Sequence, residues 1–264
     1  MTELVSVIMP TYDSGKHLCA SIDSILNQTY TNLELLITDD HSTDEATLSI
    51  LHSYMAKDKR VDVLFLDSNH GPGFARDQSI RRAKGRFIAF CDSDDRWMPD
   101  KLERQVSFMQ QKQCALSYSS YIICDENDEE QGIFRAPRRI TFSQYKRDNQ
   151  IGCLTAVYDT QLLGKKYNMP FIRKRQDWGL FLTILRDCHV AYGISEPLAY
   201  YRILRSSVSR NKFSLIKFNI RIYQKVLGFS KLKSWAYFWF LFTPSHIAKV
   251  VKRTFDSYVY MHSK

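Results

Sequence analysis

Arg86-Phe87-Ile88-Ala89-Phe90-Cys91-Asp92-Ser93-Asp94-Asp95 drives a short apolar run directly into three carboxylates. The run Arg86–Cys91 reads as a strand, and its neighbours upstream say what kind of sheet it joins. Leu4–Met9 is a second β-type run, which Pro10 is expected to end. Leu18, Ile22, Ile25 and Leu26 then recur at helical spacing, and Leu33–Thr38 is again strand-like. Leu48, Leu51 and Met55 suit a helix starting after Asp44, and Val61–Leu66 follows as a strand. Ile80 and Ala83 mark a helix face after the loop Gly71-Pro72-Gly73. Strand, helix and strand at this rhythm mean right-handed βαβ units in an α/β fold with a mainly parallel, Rossmann-like sheet.

Ligands of such sheets bind at the carboxyl ends of the strands. The segments there are Pro10-Thr11-Tyr12-Asp13, Asp39-Asp40-His41-Ser42-Thr43-Asp44, Asn69 to Asp77, and Asp92-Ser93-Asp94-Asp95. Carboxylates gathered on one rim repel one another, so a cation or hydrogen-bond donors must offset them. A hard divalent ion, Mn²⁺ or Mg²⁺, held by one or two carboxylates plus substrate phosphates, is the natural solution. Simpler roles exist for the same residues. Asp44 suits an N-cap, and the Asp92–Asp95 turn, with Pro99 beyond it, also suits a capped helix start. Gly71-Pro72-Gly73 is a turn first, because it lacks the Lys-Ser/Thr of a P-loop.

The remaining chain is less regular. Residues 126–150 are polar and read as a hairpin or an excursion over the sheet. A helix opens near Asp177 with Trp178, Phe181, Leu182 and Leu185 on one side. Of the 264 residues, 44% are hydrophobic and 25% charged, ordinary for a globular protein. The net charge of +9 is uneven: from Leu198 to Lys264 there are 13 Lys/Arg and one acid, Asp256, leaving 24 bases and 27 acids in 1–197. A basic tail on a slightly acidic body disfavours a uniformly basic nucleic-acid binder. Six scattered cysteines without a CxxC pair point to reduced thiols in the cytosol rather than a zinc site or a disulfide framework. The N-terminus lacks the basic region of a signal peptide, and no stretch approaches the roughly 20 apolar residues of a transmembrane helix.

Val5-Ser6-Val7-Ile8-Met9-Pro10-Thr11-Tyr12, Asp39 to Asp44, Ala75-Arg76-Asp77, Asp92-Ser93-Asp94-Asp95 and Gln176-Asp177-Trp178 follow one another as in family 2 glycosyltransferases, which this chain resembles over residues 4–210. Those are inverting enzymes with the GT-A fold. The subgroup it is similar to builds bacterial O-antigen or capsule repeat units on a polyprenyl-diphosphate carrier. The resemblance implies a hexosyl transfer from a nucleotide sugar, chiefly a UDP-sugar, to a lipid-linked saccharide. Pro10, Thr11 and Tyr12 would lie under the nucleotide, and Asp40, with Asp39 beside it, would accept the uracil N3–H. Arg76 would face the diphosphate or support the acids of the metal site. Asp92 and Ser93 would lie on the donor, Asp94 and Asp95 would hold the metal, and Asp177 would be the general base. The segment Tyr200-Tyr201-Arg202-Ile203, with Ser206-Ser207-Val208-Ser209, resembles the family's closing loop, where Arg202 or a serine touches the diphosphate. The chain departs from the pattern at Asp13, where Asn is commoner, at His41, where Gly is commoner, and at Gln176, where Glu is usual.

The C-terminal segment 211–264 sets Trp235-Ala236-Tyr237-Phe238-Trp239-Phe240-Leu241-Phe242 between Lys212, Lys217, Arg221, Lys225, Lys231 and Lys233 on one side and Lys249, Lys252 and Arg253 on the other. An aromatic run flanked by bases fits a helical tail on an anionic membrane surface, here the inner face of the cytoplasmic membrane. The plainer alternative is a helix packed on the body with its bases in water. Two other functions compete with glycosyl transfer. A sugar-phosphate nucleotidyltransferase would need a Gly-rich, basic loop where this chain has Pro10-Thr11-Tyr12-Asp13. A nucleic-acid binder working through the tail would need bases interleaved with its aromatics.

Overall fold

Apolar residues on both faces of a strand demand cover on both sides. The runs at Leu4–Met9, Leu33–Thr38 and Arg86–Cys91 receive it, while Val61–Leu66 buries Val61 and Val63 and leaves Asp62 exposed. β1 (Val5–Thr11), β2 (Leu33–Asp39), β3 (Val61–Phe65) and β4 (Phe87–Phe90) pair in parallel in the order β3-β2-β1-β4. α1 (Gly15–Leu26), α2 (Glu45–Lys57) and α3 (Pro72–Arg82) connect them. Alternation sends Val7, Leu35, Ile37 and Ala89 into one core with Leu18 and Ile22 of α1. Ile8, Leu36, Ile88 and Phe90 point into the other with Ile80 of α3. The computed structural model describes residues 2–204 and 212–263, the side chains of 212–214 excepted. Ser206-Ser207-Val208-Ser209, the side chain of Lys212 and the boundary expected at 210/211 therefore lie outside the described residues.

The helix starts have local causes. Asp44 caps α2, its carboxylate accepting from the Thr47 amide at 3.0 Å. Pro72 begins α3 directly after Gly71, whose φ of 89° suits glycine. Pro10 does not end β1, which continues to Thr11. Its effect is on the pairing. The Cys91 amide donates to the Ile8 carbonyl at 3.1 Å, so alternation turns the Pro10 nitrogen toward the same neighbour, β4, where proline has no N–H to give. The β1–β4 ladder stops there, and the chain after Cys91 is free to turn away with its acids.

Beyond β4 the sheet becomes mixed. β5 (Arg96–Trp97) and α4 (Lys101–Lys112) lead into β6 (Leu116–Cys124), which forms the expected hairpin with β7 (Glu130–Phe134). β8 (Arg139–Thr141) and α5 (Phe142–Tyr145) complete that excursion. β9 (Val157–Asp159), antiparallel to both β4 and β6, joins the two halves, and α6 (Thr160–Leu163) follows it. α7 (Gln176–Cys188) then buries Trp178 and Phe181 against the sheet, and β10 (Val190–Arg202) runs parallel to β6.

α8 (Lys212–Lys225) precedes a continuous helical stretch made of α9 (Lys231–Tyr237), a π-helical turn (Phe238–Phe242) and α10 (Thr243–His262). One side of this tail packs on the body. Tyr223 and Phe242 stand 5.6 and 5.5 Å from the Trp178 ring, and Phe238 stacks on Phe242. Ser257 of α10 accepts from the Ile133 amide at 3.1 Å and donates to its carbonyl at 3.2 Å, so α10 lies along β7. The other side leaves Leu232, Trp239, Phe240, Val251 and Phe255 in water, Phe240 at 78% exposure. No described helix is long and apolar enough to cross a membrane.

This division of the tail is open to a direct test. Phe242→Ala is expected to cost about 3–5 kcal/mol, as for a large core aromatic, while Trp239→Ala costs roughly 0.5 kcal/mol or less. Urea unfolding of the full chain measures both, and equal losses would contradict the packing described.

Candidate active site

The strand ends converge on one cavity of about 2190 Å³. Pro10, Thr11, Tyr12, Asp40, Arg76, Asp92, Ser93, Asp94, Asp95, Asp177 and Arg202 all line it. Asp39 does not. It lies buried beneath the rim, and its carboxylate accepts from the Ser42 amide at 2.9 Å and the Ser42 hydroxyl at 2.5 Å. Its place is to shape the loop after β2.

That loop is knotted by carboxylates that bind amides rather than cations. Asp40 accepts from the His70 and Gly71 amides at 2.8 and 2.6 Å, tying the end of β2 to the loop before α3. Asp13 accepts from the Thr43 and Asp44 amides at 2.8 and 3.0 Å. Asp13 (φ 44°) and His41 (φ 68°) both adopt left-handed backbone. Two of the three departures from the family pattern thus fall where Asn and Gly are the favoured residues, for a conformational reason. Tyr12 is 48% exposed on the cavity and belongs to no core.

The turn after β4 starts no helix, since α4 begins only at Lys101. Asp92, Asp94 and Asp95 share it with two buried arginines. Arg76 is no surface residue of α3: it is buried and pairs with Asp92 at 2.5 Å. Burial opposes its charge, yet Asp92 and its neighbours raise its pKa above the ordinary value. Its guanidinium is held against the acids of the turn. Arg202 is engaged by the same turn. Its Nε donates to the Asp94 carbonyl at 2.9 Å, its guanidinium pairs with Asp128 at 2.8 Å, and its backbone amide donates to Asp95 at 2.9 Å. The fork thus holds both the turn and Asp128. Ser93 is fastened to α1, sharing a 2.9 Å hydrogen bond with Ser14 and accepting from Ser21 at its carbonyl.

Asp94 is different. Its carboxylate receives only its own backbone amide among the described residues, and it faces the cavity. Asp95 is buried with one oxygen on the Arg202 amide. No group of three or more His, Cys, Asp or Glu able to hold a metal occurs among the described residues. A donor set of one open carboxylate with a second behind it fits an ion completed by substrate phosphates, as hard divalent ions commonly are.

Across the cavity, Asp177 sits in the first turn of α7, two residues past the N-cap position, held by Arg175. Its Oδ2 accepts from Asn149 Nδ2 at 2.9 Å, and Asn149 Oδ1 accepts from the Tyr145 hydroxyl at 2.7 Å. The tyrosine thereby fixes which end of the amide meets Asp177. Lys249 of α10 donates to the Asn149 carbonyl at 2.6 Å and pairs with Asp148 at 2.7 Å. None of Tyr145, Asn149 or Lys249 was singled out for this site from sequence. Asn149 lies 28 residues before Asp177 in a polar stretch without a motif, and Lys249 reads as one tail base among many. Gln176 is buried, donates to the Arg173 carbonyl at 2.6 Å, and lies against Gly73, where a Cβ would come within 2.7 Å of its side chain. It joins the α7 start to the α3 loop.

The architecture and site identify the class. Residues 6–167 match the family model described as Glycosyl transferase family 2. The putative teichuronic acid biosynthesis glycosyltransferase TuaG of Bacillus subtilis (strain 168) is 38% identical over 224 residues, covering 84% of this chain and 88% of that protein. The Escherichia coli UDP-Glc:α-D-GlcNAc-diphosphoundecaprenol β-1,3-glucosyltransferase WfgD is 40% identical over 215 residues, covering 81% and 83%. In structure, S. aureus TarS 1–349 in complex with UDP superposes with a TM-score of 0.64 at 21% identity, covering 87% of this chain and 68% of that one. The chain belongs to glycosyl transferase family 2. It is a glycosyltransferase with a GT-A-like fold, which sets aside the nucleotidyltransferase reading.

Burial first, then the charge of Asp92, push the Asp94 carboxyl up to about 6, and burial with both neighbouring charges raises Asp95 as well. An Asp in an unfolded chain titrates near ~3.9. Between those values the folded protein binds more protons than the unfolded chain, so stability falls as pH rises through that window. In EDTA, Asp94→Asn is expected to lose less stability than the parent between about pH 4.5 and 6.5. Urea midpoints at the two pH values decide it, and identical falls would refute the electrostatic account.

Proposed function

We propose that this glycosyltransferase is a metal-dependent, inverting hexosyltransferase that moves a sugar from UDP to a saccharide carried on a polyprenyl diphosphate in bacterial surface-polysaccharide synthesis. The observation that carries it is the opposition, within one cavity, of an open carboxylate at Asp94 and a hydrogen-bonded one at Asp177. WfgD and WfaP of Escherichia coli, 40% and 36% identical, carry names that state UDP-glucose and a GlcNAc-diphosphoundecaprenol acceptor, which supports the donor and acceptor class.

On this reading Pro10, Thr11 and Tyr12 line the nucleotide, and the exposed Tyr12 ring offers its face to the base. Asp40 keeps lone pairs beyond its two amide bonds, enough to accept the uracil N3–H. Asp92 and Ser93 border the sugar and ribose, with Arg76 holding Asp92 in place. Asp94, with Asp95 behind it, would hold a Mn²⁺ or Mg²⁺ ion together with the donor's phosphates. Such an ion supplies Lewis-acid neutralisation of the departing diphosphate. Asp177 takes the proton from the acceptor hydroxyl as that oxygen attacks the anomeric carbon opposite the leaving group. Asn149 occupies one carboxylate oxygen and leaves the other for the hydroxyl. A single displacement from the opposite face inverts the configuration. The exposed aromatic side of α9 and α10 rests on the cytosolic face of the membrane, its flanking bases drawn to anionic headgroups.

Asp177→Asn is expected to cut turnover by on the order of 10²-fold or more while UDP binding stays near the parent value. Near-normal turnover would remove the base assignment. A screen of nucleotide sugars against a lipid-diphosphate saccharide, scored by nucleoside diphosphate release, should single out a UDP-hexose and fall to background in EDTA. Activity untouched by the chelator would sink the metal role. For the membrane, the pair Trp239→Ser and Phe240→Ser should sharply reduce sedimentation with phosphatidylglycerol vesicles; unchanged sedimentation would deny the tail that function.

A further inference from the structure

The cavity has a basic wall that donor chemistry does not use. Arg175 at the start of α7 and Arg253 on α10 flank Lys249, and all three line the cavity near Asp177. Burial is the chief cause of the lowered Lys249 pKa; Asp148 opposes it, and the charges of Arg175 and Arg253 add to it. Asp148 is the one carboxylate paired in this group, and Lys249 holds it at 2.7 Å, with His246 also 3.4 Å away. Neither arginine has an ion-pair partner among the described residues, and the Arg175 Nε is buried with no hydrogen-bond acceptor. Arg175 is half-buried and Arg253 exposed; like charges gathered on one wall are unfavourable until an anion joins them.

The stripe of α10 that carries Lys249 and Arg253 also bears apolar side chains. Ile247 and Val250 line the same cavity beside Trp239 of the π-helical turn, and Ile247 and Trp239 are more than half exposed. One cavity thus brings together a carboxylate at Asp177, surplus positive charge at Arg175 and Arg253, and apolar surface at Ile247 and Trp239. A sugar joined through a diphosphate to a long hydrocarbon combines the same three chemistries.

We infer that Arg175 and Arg253, with Lys249 between them, form the site for the diphosphate of a lipid-linked acceptor, and that Trp239, Ile247 and Val250 receive the first part of its hydrocarbon chain. This rests on the proposed lipid-diphosphate acceptor and places it on the tail side of the cavity. α10 is then part of the binding site and not only a membrane contact. Two arginines suit the task because a guanidinium donates to two phosphate oxygens at once.

The test is calorimetric titration of the full-length protein, held with UDP and Mn²⁺, with dodecyl diphosphate. The parent should bind it, and Arg175→Gln and Arg253→Gln should each weaken binding by about tenfold or more, the scale of one lost charge-assisted contact. Dodecyl phosphate should bind at least about tenfold less well and respond less to either substitution. Unchanged affinity in both variants, with circular dichroism and UDP binding retained, would overturn the assignment. Equal affinity of the parent for dodecyl diphosphate and dodecyl phosphate would also overturn it, and would give the cluster to membrane headgroups instead. If UDP itself failed to bind, the donor reading would fall separately, because the dodecyl diphosphate titration of parent and variants still reads the cation cluster.

Discussion

Three carboxylates in one four-residue turn are the constraint around which this molecule is arranged. Two buried arginines from distant parts of the chain make the turn tolerable. Arg76 arrives from the third crossover helix and takes Asp92, while Arg202 arrives at the end of the last strand and grips the backbone of Asp94. Each arginine is costly to bury alone and is stabilised by the acids it meets. Because Arg202 ends β10 and Asp95 accepts from its amide, the acidic turn takes this form only with the second half of the sheet in register. Fold and site are thus one cooperative object.

The first half of this arrangement is legible in the sequence. Strands buried on both faces write themselves as continuous apolar runs, and the acids at their ends are visible because the runs stop abruptly. Pro10 shows the limit of such reading. Proline is rightly seen as a stop, but what it stops is a ladder on one side of the strand, a fact that depends on which neighbour its nitrogen faces. Asp39 and Asp40 show another limit. They are adjacent and alike in sequence, yet the pleat sends one carboxylate to the cavity and the other into the loop beneath it.

The second half resists because its contacts are long-range and chemically plain. An asparagine, a tyrosine and a lysine carry no spacing signal, and only the fold brings Tyr145, Asn149 and Lys249 together beside Asp177. The tail is also two things at once. Its periodicity announces a helix with bases and aromatics, but not that Phe238 and Phe242 turn inward while Trp239 and Phe240 turn out. All four fall within the π-helical turn.

The bond from Lys249 to the Asn149 carbonyl has a thermodynamic corollary. It makes the terminal helix and the Asp177 carboxylate two ends of a single linkage, since Asn149 touches both. Free-energy coupling of this kind is reciprocal: whatever steadies one end steadies the other by the same amount. Any ligand at Asp177 that tightens the hold of α10 on the body must, by the same free energy, be favoured in turn by the docking of α10.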